Sequence, residues 1–195
     1  MKSLLFISSV LLANTLLQAQ LLHFQANLSP EVTGATGLGI AKIAYDQTAH
    51  TLQVDVEFSG LSGNTTVAHI HGPTTVAATG TAGVMTMTPS FLQFPTGVQS
   101  GTYSALLDLT SASSFRAGFI TASGGTPAGA ESAFLSAVND GKAYFNVHTS
   151  AFPGGEIRGF FTPYTPVPEP STTCAVGAAL LGSFAWVRRL RRSNA

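Results

Sequence analysis

Alternation with period two runs through most of the chain. In residues 52–58, LQVDVEF, Leu52, Val54, Val56 and Phe58 share one face, and Gln53, Asp55 and Glu57 share the other. That is the pattern of a strand with one side buried. Leu22, Phe24, Ala26 and Leu28 alternate with His23, Gln25 and Asn27 in the same way. Further strands are predicted at 38–45, 66–71, 83–88, 103–109, 143–149 and 156–161, most of them separated by Gly, Pro, Ser or Asn clusters. Many short strands with turn chemistry between them predict an all-β domain of sandwich or barrel type, here read as an antiparallel Greek-key-like sandwich. Residues 110–141 break the pattern. There Phe134, Leu135 and Val138 fall at helical spacing and Gly141 stands where a helix would end, so one short helix is expected at about 130–139.

The two ends carry different patterns. Residues 1–19, MKSLLFISSVLLANTLLQA, have one lysine followed by an uncharged apolar run that closes at Ala19. This is the layout of a secretory signal peptide, which is set apart from the fold. Near the other end, residues 171–187 contain no charge. As a helix this stretch would be roughly 25 Å long, close to the lower limit for a hydrocarbon core of about 30 Å. Arg188, Arg189, Arg191 and Arg192 follow at once, and such a cluster is retained on the cytoplasmic side. The predicted organisation is a signal peptide at 1–19, a β domain at 20–163, a Pro-rich linker at 164–170, a membrane helix at 171–187 and a basic cytoplasmic tail at 188–195.

Net charge is zero, with nine basic and nine acidic residues, but the balance is uneven along the chain. Between the two end segments only Lys42, Arg116, Lys142 and Arg158 oppose all nine acidic groups, a formal charge of −5. A mildly acidic domain with no basic patch excludes nucleic acid as the expected partner. Cys174 is the single cysteine and lies in the predicted membrane helix, so no intrachain disulfide can form. The chain has no Walker motif, no GxGxxG, no CxxC and no HExxH.

The chemistry that remains is histidine chemistry. In VAHIHGP, residues 67–73, a strand would place His69 and His71 on one face with Cα atoms about 6.6 Å apart. Both imidazoles could reach one ion, and His148, near the end of another predicted strand, could supply a third ligand of the kind copper and zinc accept. Buried histidines can equally be satisfied by carbonyls or carboxylates with no metal. No second HxH or Asp-rich ligand loop follows, which favours the structural reading.

VAHIHGP together with GKAYFNVHTSAFPGGEIRGFF, residues 141–161, resembles the chordin-type or CHRD domain over residues 21–162. The residues that carry the resemblance are His69, Ile70 and His71, then His148, Thr149, Gly154, Gly155, Glu156, Ile157, Arg158 and Gly159. It implies an exported β-sandwich without a settled biochemical activity. It also suggests a polar network tying strands together through His69, His71, His148, Thr149, Glu156 and Arg158, with Glu156 and Arg158 on one strand face. Val167, Pro168, Glu169 and Pro170, followed by the apolar span and the arginines, resemble a PEP-CTERM sorting signal. That resemblance implies recognition at the bilayer by an exosortase-type membrane enzyme. The expected function is a non-enzymatic binding or structural module, without a cofactor, sorted to the cell surface or extracellular matrix, its matrix partner unspecified. The alternative is a copper- or zinc-binding, redox-capable protein using His69, His71 and His148; copper/zinc superoxide dismutases also pair an HxH strand with a β-sandwich.

Overall fold

Strand β1 (Leu22–Pro30) organises the molecule, because it belongs to both halves of the sheet. Its residues Leu22–Leu28 pair antiparallel with β2 (Leu38–Asp46). On its other side Ser29 and Pro30 pair with β7 (Ile157–Phe160), and Phe24 and Gln25 pair with the two-residue β8 (Thr162–Pro163). The remaining strands are β3 (Thr51–Ser59), β4 (Thr65–His71), β5 (Gly101–Asp108) and β6 (Tyr144–Thr149). The sheet order is β4-β6-β7-β1-β2-β3-β5, every pairing antiparallel. The computed structural model describes residues 21–166, and all these elements fall within the unit that closes at Pro163. The predicted signal peptide, sorting motif, membrane helix and arginine tail lie outside the described residues. Among the described residues no helix is long and apolar enough to cross a membrane.

The all-β expectation holds, and its form is corrected: one curled sheet replaces the two separate sheets of a sandwich. The crossing at β1 is tight. A Cβ on Gly159 of β7 would lie 2.3 Å from the Asn27 carbonyl oxygen, so only glycine lets the two backbones meet there.

The inner face of the curl holds the core. Ala26, Val54, Ile70, Phe145 and Val147 are fully buried on strands from both halves. Phe94 joins the halves, its ring 5.7 Å from Phe58 on β3 and 6.5 Å from Phe145 on β6. Phe91 stacks on Phe145 at 5.7 Å with the planes 3° apart. Both phenylalanines come from the long excursion between β4 and β5.

That excursion also explains a correction to the strand expectation. Residues 83–88 alternate like a strand, yet they form only isolated bridges, His71 with Val84 and Thr86 with Phe115. Side chains do the work of the missing ladder. The Thr86 hydroxyl accepts the Ile70 N–H at 3.0 Å and the Ser90 hydroxyl accepts the Ala68 N–H at 3.0 Å. Met85 N donates to the Ile70 carbonyl at 2.9 Å. The edge of β4 is thus closed without a regular strand.

Two helices stand where one was expected. Helix α1 (Ala117–Ala122) has six residues, too few for a 3.6-residue period to repeat. Helix α2 (Pro127–Asn139) begins three residues ahead of its expected start, because Thr126 caps Gly129 N and Pro127 occupies the first turn. It ends at Gly141, whose φ of 64° lets Lys142 N return to the Ala137 carbonyl. The buried Glu131 on α2 accepts the Tyr45 hydroxyl at 2.7 Å and lies 3.0 Å from His50 Nδ1, tying the helix to the β2–β3 hairpin.

Phe94 and Leu92 share this excursion but not its burial, at 4% and 75% exposed. Phe94→Ala should lower unfolding free energy by about 3–5 kcal/mol, and Leu92→Ala by less than about 0.5 kcal/mol. Urea midpoints of the two variants check the difference.

Candidate functional site

Alternation along β4 sends Ala68 and Ile70 into the aromatic core and His69 and His71 to the opposite face. On β6, Phe145 and Val147 face the core, which leaves Tyr144, Asn146 and His148 on the other face. The two strands pair with His69 opposite Asn146, His71 opposite Tyr144 and Val67 opposite His148. Directly opposed residues of an antiparallel pair share a face. One register therefore gathers all three histidines, and their ring centroids form a near-equilateral triangle of 5.5, 5.6 and 5.7 Å.

Loops cover this face, and three carbonyls fix the rings. His69 Nε2 donates to the Pro89 carbonyl at 2.6 Å, His71 Nδ1 to the Ala82 carbonyl at 2.9 Å, and His148 Nδ1 to the Pro153 carbonyl at 2.9 Å. A carbonyl oxygen only accepts, so in each ring that nitrogen carries the hydrogen, and in the neutral ring the other keeps a lone pair. The other nitrogens, His69 Nδ1, His71 Nε2 and His148 Nε2, are buried and have no hydrogen-bond partner. The rings are 6%, 8% and 9% exposed. Burial pushes the His69 imidazolium down to about 4, the nearby His148 and His71 add to the shift, and the Pro89 carbonyl opposes it. Burial lowers His71 as well, against the pull of the Ala82 carbonyl, with His148 and Arg158 adding to the shift. His69 and His71 are neutral at pH 7. One nitrogen from each ring lies within 4.8 Å of one from each of the others. Chemically the arrangement is a three-nitrogen donor set.

The single polar network expected from the signature is corrected to three separate ones. The first is the histidine trio. The second centres on Glu156, which is fully buried and takes hydrogen bonds from Thr149 Oγ1 at 2.6 Å, Ser62 N at 2.5 Å and Gly63 N at 3.3 Å. The third centres on Arg158, which pairs with Glu31 at 3.2 Å and donates to the Gly80 carbonyl at 2.9 Å. Glu156 and Arg158 thus have different partners. They fail to form one pair because Glu156 reaches the 62–63 turn while Arg158 lies over the Tyr144 ring, 5.1 Å from its centre.

Tyr144 and Asn146 belong to the site and were not singled out in the sequence. Tyr144 stacks on His71 at 5.0 Å and 12°. Asn146 Nδ2 donates to Glu31 at 3.1 Å, and a Cβ on Gly155 would come within 2.5 Å of that amide nitrogen. Gly155 is needed for that space and for its φ of 130°. The available signal was positional: Tyr144 and Asn146 stand four and two residues before His148, on its strand face. The carbonyls of Ala82, Pro89 and Pro153 had no signal, since any residue supplies one.

The CHRD domain family matches residues 17–161, and the chain belongs to that family. A PEP-CTERM protein-sorting motif matches residues 166–189. The protein is therefore an exported CHRD-domain protein whose tail is of the kind that exosortases recognise. No curated protein and no solved structure matches the chain.

Burial pushes the Glu156 carboxyl up, but the hydrogen bonds from Thr149, Ser62 and Gly63 outweigh it and hold the group below the ordinary carboxylate value. Its contribution is present above that ordinary value, about 4.5, and is lost as pH falls through the lower folded-state value. Glu156→Gln should cost about 1.5–3 kcal/mol at pH 7 and flatten the loss of stability below pH 4.5. Urea titrations across that range check both effects.

Proposed function

We propose that the chain is a non-enzymatic binding or structural module that is released to, or displayed on, the cell surface or extracellular matrix. The observation that carries this reading is the order of two matches, a CHRD domain at 17–161 directly followed by a sorting motif at 166–189. In that order the β domain is the passenger and the tail is its address. The prolines of Val167-Pro168-Glu169-Pro170 disfavour regular helix at the motif, which suits presentation to an active site at the membrane face. The apolar run 171–187 and Arg188, Arg189, Arg191 and Arg192 then set depth and orientation. The domain's acidic balance supports a partner other than nucleic acid.

Processing is measured by mass spectrometry of the membrane, surface and culture-medium fractions. The native chain should appear outside the inner membrane, shortened near residues 167–170. Alanine at Pro168, Glu169 and Pro170 together should leave the full tail attached in the membrane fraction. Unprocessed, soluble chain in the cytosol would contradict the reading.

A further inference from the structure

We propose that His69 Nδ1, His71 Nε2 and His148 Nε2 together bind one zinc or copper(II) ion. This inference stands apart from how the chain is sorted. Three buried acceptor nitrogens without a donor are costly to leave facing one another, and each is oriented by a carbonyl on the far side of its ring. That second feature is the arrangement metal-binding imidazoles use: an N–H···O=C bond fixes the tautomer and raises the basicity of the ligand nitrogen. A water molecule has two hydrogens and can satisfy only two of the three lone pairs. A cation satisfies all three.

The distances suit a small ion. Nitrogens that all lie within 4.8 Å of one another sit no more than about 2.8 Å from a common centre, against about 2.0–2.1 Å for a zinc–imidazole bond. Each ring needs to move inward by less than about 1 Å, within reach of a small χ rotation. The donor set chooses among ions. Calcium and magnesium take oxygen ligands, whereas imidazoles suit zinc and copper. Tyr144, stacked on His71 and itself covered by Arg158, walls one side of the trio.

The test uses the full chain, purified in detergent without an affinity histidine tag and stripped with a chelator. Zn²⁺ and Cu²⁺ are titrated separately by calorimetry, with Mg²⁺ as a third arm. The site predicts one equivalent of Zn²⁺ or Cu²⁺, with Cu²⁺ the tighter, and no uptake of Mg²⁺. His69→Gln, His71→Gln and His148→Gln should each weaken binding by about 100-fold or more, at least the loss seen when an outer-shell partner is removed. His23→Gln should bind like the native chain. Electron paramagnetic resonance of the native copper form gives a readout that no variant's folding affects, and it should show coupling to three equatorial nitrogens. Absence of stoichiometric uptake, retained affinity in His148→Gln, or copper coupled to a single nitrogen would each overturn the site.

Discussion

The unpaired edge of β4 is the constraint on which the rest of the site depends. β4 ends the sheet, with β6 on one side and, among the described residues, no strand on the other. A buried N–H left without an acceptor costs about 1–3 kcal/mol, so the following chain has to return along that edge. It does so with the hydroxyls of Thr86 and Ser90 taking the places of ladder carbonyls. The same return places Phe91 and Phe94 on the core face. On the other face it carries the carbonyls of Ala82 and Pro89 onto His71 and His69. Edge closure, core packing and histidine orientation are therefore one event, carried by residues 72–100.

The glycine-rich signature near the end of the domain does parallel work on the β6–β7 side. Pro153 supplies the carbonyl that orients His148. Gly155 leaves room for Asn146 and Glu31, and Gly159 lets β7 meet β1. Glu156 holds the 62–63 turn from beneath, and Arg158 closes over Tyr144. Within the signature, Glu156 and Arg158 anchor loops, and Gly155 and Gly159 permit close approaches.

Much of this was legible in the sequence for a simple reason. Strands whose two faces differ in polarity print their geometry as a period of two, so β1, β2, β3, β4, β5 and β6 could be read within a few residues of their ends. The shared face of His69 and His71 followed from the same rule. Strand pairing left no such imprint: that β4 lies beside β6, which brings His148 to the pair, depends on contacts between residues about 80 apart in sequence. Residues 83–88 misled because Met and Thr alternate in sequence there without alternating in burial: the adjacent Met85 and Thr86 are both buried, and the segment makes only isolated bridges. Helix α1 was too short to repeat, and backbone carbonyls carry no side-chain signature at all.

The sorting tail and the histidine trio bear on different questions, destination and chemistry. The account stands most directly on the three carbonyls that fix three tautomers. Long-range proton–nitrogen correlation spectra of the metal-stripped chain near neutral pH measure this. They should show His69 protonated at Nε2 alone and His71 at Nδ1 alone, with His148 carrying a hydrogen at the Nδ1 that faces the Pro153 carbonyl. Reversed tautomers, or rings exchanging freely between the two forms, would contradict it.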